Sequence, residues 1–172
     1  MTLAGDGGNM GNIASIDPGI SGAISVLDKK SLDVRLLVDM PVIKIAGRDV
    51  LDIHEVIRTL KSYNLEHVYL EQSLARPSIR KNGEKVSPGI VSVGSYMKNY
   101  GMLVGICATL GVRYTEVLPQ TWKKKMMAGM SKEKGASIIR AAQLFPQISF
   151  ERKKDHHKAD SLLIGYYGIH AA

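Results

Sequence analysis

Two apolar runs separated by a short acidic turn constrain the fold of this chain more than any other feature. The first run, residues 13–16, ends at Asp17, and the second covers residues 23–27 after Pro18 and Gly19. Strand-forming runs on both sides of a proline–glycine turn predict a β-hairpin. Asp17 therefore closes a strand, although Asp-Pro-Gly on its own is also a common turn sequence.

The next segment predicts a third strand, a crossing helix and a parallel strand. Residues 34–39 form a third apolar run, and residues 40–48 read as a loop. From Asp49, a candidate N-cap, apolar residues recur at the three-four spacing of a helix with one buried side. They are Ile53, Val56, Ile57 and Leu60. Residues 67–71 then predict a strand that returns parallel to the first and ends in Glu71.

The second half predicts further helices and one more strand. Residues 75–90 lack periodicity and are rich in basic side chains, which predicts a mobile basic loop. Residues 91–110 predict a long buried helix. Its buried side is expected to carry Met97, Tyr100, Val104 and Ala108, with close backbone packing at Gly94, Gly101 and Gly105. A fifth strand is expected over residues 112–117, followed by helices that start at Pro119 and cover residues 132–145 and 156–170.

This order of elements predicts a single α/β domain over residues 13–172. Its centre is a mixed five-stranded sheet with helices on both faces, because a strand that returns parallel needs a helical crossover. The order is that of the ribonuclease H-like fold. The 172 residues are enough for one domain with its own core, and the glycine-rich residues 1–12 are expected to form a flexible leader.

The composition limits the classes of partner and compartment. The formal net charge is +7, which favours a polyanionic partner, with nucleic acid as the first candidate. The single cysteine, Cys107, forms neither an internal disulfide nor a cysteine zinc site, which fits an intracellular, reducing compartment. A cytoplasmic protein is expected, and separately a phage or bacterial context. No apolar run approaches the roughly 18 residues of a membrane helix, so no membrane partner is expected.

A carboxylate on the inner face of the last predicted helix indicates a metal site. Asp160 shares this face with Leu163 and Ile164, which must pack on the sheet. An acid held against apolar surface needs a positive partner, and a divalent cation supplies one. Because Asp17 and Glu71 each end a strand of the same sheet, the three carboxylates can meet at one edge and bind Mg²⁺ or Mn²⁺ through oxygen.

Two side chains near Asp160 are candidates for a fourth position. His157 lies three residues earlier, on the same helix face, where it could orient the attacking water or bind a metal. Asp155 lies five residues earlier, about 140° around the helix, so it reaches the site only from a pre-helical conformation. Asp155 is also a plausible N-cap, and the sequence leaves the choice between the two residues open.

Three motifs together resemble the RuvC family of Holliday junction resolvases, in particular its phage and organellar branches. They are "SIDPGISGAI", "VYLEQS" and "HHKADSLLI", in this order within residues 13–168. The resemblance implies that Asp17, Glu71 and Asp160 bind two metal ions per active site. For the fourth position, some relatives imply His157, whereas the organellar branch implies Asp155.

The same resemblance implies the reaction and the assembly. The metal ions would activate water at a phosphodiester and stabilise the leaving 3′ oxygen, which gives 5′-phosphate ends. A homodimer would cut four-way DNA junctions by paired symmetric nicks. Lysines near the scissile phosphate are implied at Lys123 and Lys134. Leu74 stands where bacterial relatives have an aromatic wedge at the junction centre, so base stacking is lost there.

Basic side chains outside the acidic site are expected to bind DNA phosphates without reading the sequence. They are Arg76, Arg80, Lys81, Lys85, Lys123, Lys124 and Lys134. Together with Leu74, these residues form the predicted DNA-binding set.

Three other functions are consistent with parts of the sequence. The motif "DPGISGA" also resembles the phosphate loop of sugar kinases and actin-like ATPases, but with one lobe and no second such loop, no nucleotide cofactor is expected. A ribonuclease H-like nuclease for hybrid or flapped substrates would keep the same fold and metals. A non-catalytic junction-binding module would be expected to lack at least one acid, and none is missing.

Overall fold

The secondary structure follows an α/β order over the residues that the computed structural model describes, which are 11–72, 78–79, 85–86, 89–131, 133 and 135–171. The strands are β1 (Asn12–Asp17), β2 (Ala23–Asp28), β3 (Val34–Asp39), β4 (Val42–Ile45), β5 (Arg48–Leu51), β6 (Leu65–Glu71), β7 (Ser78–Ile79), β8 (Lys85–Val86) and β9 (Arg113–Val117). The helices are α1 (Ile53–Lys61), α2 (Ile90–Thr109), α3 (Pro119–Met126), α4 (Ala136–Leu144) and α5 (His156–Ala171). A 3₁₀ turn (Lys153–Asp155) precedes α5.

Five of the strands form one mixed sheet in the order β3-β2-β1-β6-β9. β1, β2 and β3 pair antiparallel with one another in sequence. β6 pairs parallel with β1, and β9 pairs parallel with β6, after crossovers through α1 and α2. The predicted five-stranded mixed sheet is therefore confirmed.

Alternate residues of each strand pack against helices on opposite faces of the sheet. On β1, Ala14 and Ile16 belong to a core formed with α1 and α2, whereas Ile13 belongs to a core formed with α3, α4 and α5. Because side chains alternate along a strand, Asp17 points to the same side as Ile13. The predicted helices on both faces are confirmed, and the face with α5 is the one toward which Asp17 points.

Small side chains bring α5 close to β1. A Cβ atom on Gly165 would lie only 2.5 Å from Ser15 Oγ, so only glycine fits there. Four residues earlier on the helix, Ser161 Oγ hydrogen-bonds with the Ser15 carbonyl oxygen at 3.0 Å and with Ser25 Oγ at 2.9 Å. These serines are fully buried, so the contacts fix where Asp160, the residue before Ser161, meets the sheet.

The predicted loop over residues 40–48 contains a second hairpin instead. β4 and β5 pair antiparallel around Ala46 and Gly47, whose φ angles are 48° and 76°. A two-residue turn with positive φ at both positions suits the twist of a hairpin, but alanine rarely marks such a turn in a sequence. Asp49 lies within β5, so the predicted N-cap is wrong. The N-cap of α1 is Asp52, whose side chain accepts a backbone N–H of the first turn at 3.0 Å.

The predicted basic loop over residues 75–90 lies mostly outside the described residues. Within it, β7 and β8 pair antiparallel with each other. This part of the segment is therefore a short two-stranded ribbon and not a fully irregular loop.

α2 begins and ends one residue before the predicted positions, but its buried side differs from the prediction. Its buried residues are Asn99, Tyr100, Leu103, Ile106 and Cys107, whereas Met97 and Ala108 are exposed and Val104 is half-buried. The helix carries a single charged residue, Lys98, so its hydrophobic pattern does not select one face. The predicted close packing at its glycines is also wrong, because a Cβ at Gly94, Gly101 or Gly105 meets nothing within 4 Å among the described residues.

The last three helices follow the prediction except at the start of α4. α3 begins at Pro119 and α5 at His156, as predicted. α4 begins at Ala136 because the preceding Gly135 has a φ of 110°, a conformation that side-chain-bearing residues avoid. Within the described ranges, no helix is both long and apolar enough to cross a membrane.

Candidate active site

Two acids at the ends of neighbouring strands face α5. β1 and β6 are parallel, and their register makes Asp17 and Glu71 the next residues after the last paired positions. By the alternation of side chains, Glu71 lies on the same face as Tyr69, and Tyr69 and Ile13 both pack in the core with α3, α4 and α5. The local sequence pattern thus turns both acids toward the helix that carries Asp160.

Asp17 and Glu71 each bond to a side chain from a helix on this face. Asp17 Oδ2 lies 2.7 Å from His157 Nδ1, and Trp122 Nε1 donates to Glu71 Oε1 at 2.8 Å. These hydrogen bonds tie β1 to α5 and β6 to α3. They also hold both carboxylates in defined orientations at the edge of the sheet.

Asp160 is less well satisfied. Its Oδ2 atom lies 3.9 Å from Lys123 Nζ, at the limit of an ion pair. Its Oδ1 atom is buried and has no hydrogen-bond partner among the described residues. A buried carboxylate oxygen without a donor raises the free energy of the folded state, and a bound cation would satisfy it.

The pKa values of two of the acids report a concentration of negative charge. Burial, and then the charge of Asp17, raises the pKa of Glu71 to about 7, against the opposing hydrogen bond from Trp122. Burial also raises the pKa of Asp160, and the charge of Lys123 opposes this shift. In the absence of a cation, the site therefore resists full ionisation.

His157 balances part of this charge. Its hydrogen bond with Asp17 raises the pKa of the imidazole, although burial opposes the shift, and the charges of Asp160 and Glu71 act in the same direction as Asp17. A protonated His157 is a positive partner of Asp17, at 2.7 Å. The residue can therefore hold a proton within the acidic site.

The acids do not form a preassembled cage. In the described part of the chain, no three histidine, cysteine, aspartate or glutamate side chains are grouped so that they could hold a metal ion. This arrangement differs from the sequence-based expectation of converging carboxylates. The physical reason is that like charges repel, and Asp17 and Glu71 each bond to a helix side chain instead. The donor set, which is carboxylate oxygens with one unpartnered buried oxygen, still has the chemistry that hard divalent cations prefer.

Asp155, the alternative fourth residue, caps the turn before α5. Its carboxylate accepts the backbone N–H groups of Glu151 at 3.0 Å and Arg152 at 2.8 Å, and also the Arg152 Nε–H at 2.9 Å. Burial raises the pKa of Asp155, but the hydrogen bonds from Arg152 outweigh it, and the net shift is downward. The structure thus brings His157, and not Asp155, against Asp17. The metal-binding or catalytic role of either residue stays a prediction.

Arg152 connects this cap to the end of β3. Its two terminal nitrogens donate to both carboxylate oxygens of Asp39, at 2.9 and 2.8 Å, and Lys154 Nζ donates to Asp39 at 2.8 Å. Bidentate arginine–carboxylate pairs fix geometry more strongly than single contacts. The start of α5, and with it His157, is therefore held against the sheet edge near the acids.

Of the predicted DNA-binding residues, Lys123 lies beside Asp160, and its Nζ is 5.0 Å from the centre of the Trp122 ring. Lys124 is exposed on α3. Leu74, Arg76, Arg80, Lys81 and Lys134 lie outside the described residues, and of Lys85 only the backbone, in β8, is described. Their roles stay predictions.

The sequence analysis missed two residues that shape the site. Trp122 reads as a core residue, and it is fully buried, yet its indole N–H also orients Glu71 from 51 positions away in the chain. Arg152 has no predicted role in the sequence analysis, although it links Asp39 with Asp155. No local pattern signals either role, because both partners come from distant segments.

The fold and the acidic edge define this chain as a ribonuclease H-like α/β protein with a carboxylate site. A solved structure of RuvC from Thermus thermophilus is 20% identical, has a TM-score of 0.59, and covers 91% of this chain and 95% of its own. T. thermophilus RuvC in complex with a Holliday junction substrate is 17% identical, with a TM-score of 0.60 and coverages of 92% and 94%. The RuvC-like fold that the motifs predict is therefore confirmed. No protein-family model and no curated protein matches the sequence.

The raised pKa of Glu71 predicts a pH-dependent loss of stability in metal-free protein. Since the carboxyl binds its proton more tightly when folded, its contribution is present at low pH and is lost as pH rises from 4.5 through about 7. Between pH 5 and pH 8 in chelator, we expect the free energy of unfolding of the parent to fall by about 1–3 kcal/mol more than that of Glu71→Gln. The melting temperature of the parent should fall more in the same range. An equal fall in stability with pH for both proteins would contradict the burial of a charged Glu71.

Proposed function

We propose that this chain is a divalent-metal-dependent endonuclease that resolves four-way DNA junctions by paired nicks and leaves 5′-phosphate ends. The observation that carries the proposal is the position of Asp17, Glu71 and Asp160, which come from distant segments to the α5 face of a RuvC-like fold. The similar fold of T. thermophilus RuvC in complex with a Holliday junction substrate supports junction DNA as the substrate class.

Asp17, Glu71 and Asp160 would hold Mg²⁺ or Mn²⁺, two ions per site, and the ions when bound would supply Lewis-acid activation at the phosphodiester. Trp122 holds Glu71 in its orientation through the indole N–H. Lys123, half-exposed beside Asp160, is positioned to bind a phosphate oxygen of the strand to be cut.

His157 provides a proton-binding group at the site. The hydrogen bond between its Nδ1 atom and Asp17 raises the pKa of the ring, against the opposing effect of burial, and so favours the protonated form. The imidazole can therefore orient a water molecule or donate a proton to an oxygen on which negative charge develops. Its position against Asp17 favours it over Asp155 for this role.

The net charge of the chain supports a polyanionic substrate. The formal charge is +7, although the site itself concentrates acids. A positive surface around an acidic centre attracts the DNA backbone, while the acids keep the scissile phosphate at a distance unless cations are bound. Cutting is therefore expected only with a divalent metal.

An exposed apolar patch on α2 supports a homodimer. Ile90, Val91 and Met97, which we call the α2 patch, are 91%, 78% and 41% exposed. A single charged residue among 20 is typical of a helix that is buried on most sides. A second copy packed about a two-fold axis would cover this patch and would place two active sites on one junction.

We expect Asp17→Asn, Glu71→Gln and Asp160→Asn to abolish cutting while binding is kept or tightened, because less negative charge then faces the phosphates. The loss should be about 100-fold or more, equivalent to several kcal/mol of transition-state stabilisation. Gel assays would compare a mobile four-way junction with a hybrid duplex, a flap and a linear duplex, in Mg²⁺ and in chelator.

Asp33→Asn is the matched control and should cut like the parent, because this exposed acid lies at the turn between β2 and β3, at the opposite end of these strands from Asp17. His157→Ala should slow the reaction, and an unchanged rate would move the fourth role to Asp155. Near-parental cutting by any of the three acid variants would contradict the metal assignment, and preferred cutting of hybrid or flap would change the substrate class.

The α2 patch predicts a change of assembly on introduction of charge. Val91→Glu should convert a dimer to a monomer in analytical ultracentrifugation, because a buried unpaired charge opposes association. It should also separate the paired nicks into single ones. Ile139→Glu, at an exposed apolar position on α4, is the control and should stay dimeric. A monomeric parent, or a dimeric Val91→Glu variant, would contradict this interface.

A further inference from the structure

A cavity of about 450 Å³ lies between α3, α4 and α5, directly beside the acidic site. Its walls include Trp122, Met127, Met130, Ala136, Ser137 and Asp160. The volume is within the range of about 300–1,000 Å³ of cavities that bind small organic ligands. None of the roles proposed above for these residues requires a cavity of this size.

The walls of the cavity suit a flat aromatic ring. Trp122, Met127, Met130 and Ala136 form an apolar lining, and methionine side chains adapt to aromatic surfaces through their flexible, polarisable thioethers. Ser137 contributes a hydroxyl that hydrogen-bonds with Asp160 and can also accept a hydrogen bond from a ligand. The other walls carry polar and charged side chains, among them Glu133, His156 and Asp160. An apolar wall that faces polar groups can bury a ring and read its edge.

The position of the cavity relates it to the strand that is cut. Asp160 belongs both to the acidic site and to the cavity wall. Lys123, which lies beside Asp160, also lines the cavity. A nucleotide whose phosphate lies at the acids would therefore have its base, or that of its neighbour, next to the cavity. Removing a base from a stack has a free-energy cost, which is lowest where bases are already unpaired, as at the centre of a junction.

We infer that this cavity binds one nucleobase of the cut strand, turned out of the stack next to the scissile phosphate, and that it gives the cutting a sequence preference. The inference rests on the proposed function and adds base readout to it. The phosphate contacts position the strand, and the cavity discriminates among bases by their size and edge groups.

The chain offers a direct probe of this cavity. Trp122 is its only tryptophan, so the intrinsic tryptophan fluorescence reports on one wall of the cavity. The full-length protein in chelator would be titrated with a four-way junction, while the anisotropy of a dye on the DNA records binding independently. We expect tryptophan emission to change in parallel with binding. Junctions with one abasic site at successive positions near the cut should still bind, but at one position they should lose most of this change.

A matched pair of variants separates the cavity from general effects on α4. Ala136→Leu fills the cavity, whereas Ala142→Leu makes the same change at an exposed position of the same helix. In Mg²⁺, on junctions that vary each base near the cut, the parent and Ala142→Leu should prefer one base at one position by about tenfold. Ala136→Leu should reduce this preference to about twofold or less. The abasic titration with the parent protein remains decisive if Ala136→Leu does not fold.

The outcomes distinguish the two proposals. Junction binding with unchanged tryptophan emission, or with the same change on every abasic junction, overturns the base-binding cavity and leaves the nuclease proposal intact. Equal sequence preference in Ala136→Leu and Ala142→Leu also overturns it. If no anisotropy change occurs with any junction, the proposed function itself fails, and the cavity inference fails with it.

Discussion

The arrangement of this molecule depends on negative charge that is held partly buried at one edge of a sheet. Asp17 and Glu71 end adjacent parallel strands, and α5 brings Asp160 to the same face. Burial, and then the charge of Asp17, raises the pKa of Glu71 to about 7, which is a cost that exposing the acids would avoid. The Trp122 indole, the His157 ring and the Lys123 amine each offset part of this charge in the absence of metal.

The packing of α5 converts this local chemistry into a fixed geometry. Ser161 and Gly165 set the distance between the helix and β1, and the Arg152 bridge between Asp39 and Asp155 holds the turn from which the helix starts. Because the serine contacts are buried, the helix has little freedom to move without losing hydrogen bonds. The acids are thus positioned by groups that lie outside the acidic site itself.

The spacing of apolar residues, every second residue in strands and every third or fourth in helices, was enough to predict the sheet, its crossovers and the acid at each strand end. Hydrophobic alternation and turn chemistry are local signals that a single sequence carries. The hairpin of β4 and β5 was not predictable in this way, since Ala46 adopts a positive φ that its residue type disfavours. The buried side of α2 was mispredicted because a helix that is apolar all round has no distinct stripe. The partners of Glu71 and Asp155 escaped the sequence because they depend on tertiary contacts between distant segments.

The most direct test of the central claim is a calorimetric titration of metal-free protein with Mn²⁺. If the three acids form a divalent-cation site, the parent and the Asp33→Asn control should bind the ion with equal affinity. Each of Asp17→Asn, Glu71→Gln and Asp160→Asn should then weaken binding by at least about tenfold, or 1.4 kcal/mol. Equal Mn²⁺ affinity in the parent and all three acid variants would contradict a cation site at this edge of the sheet.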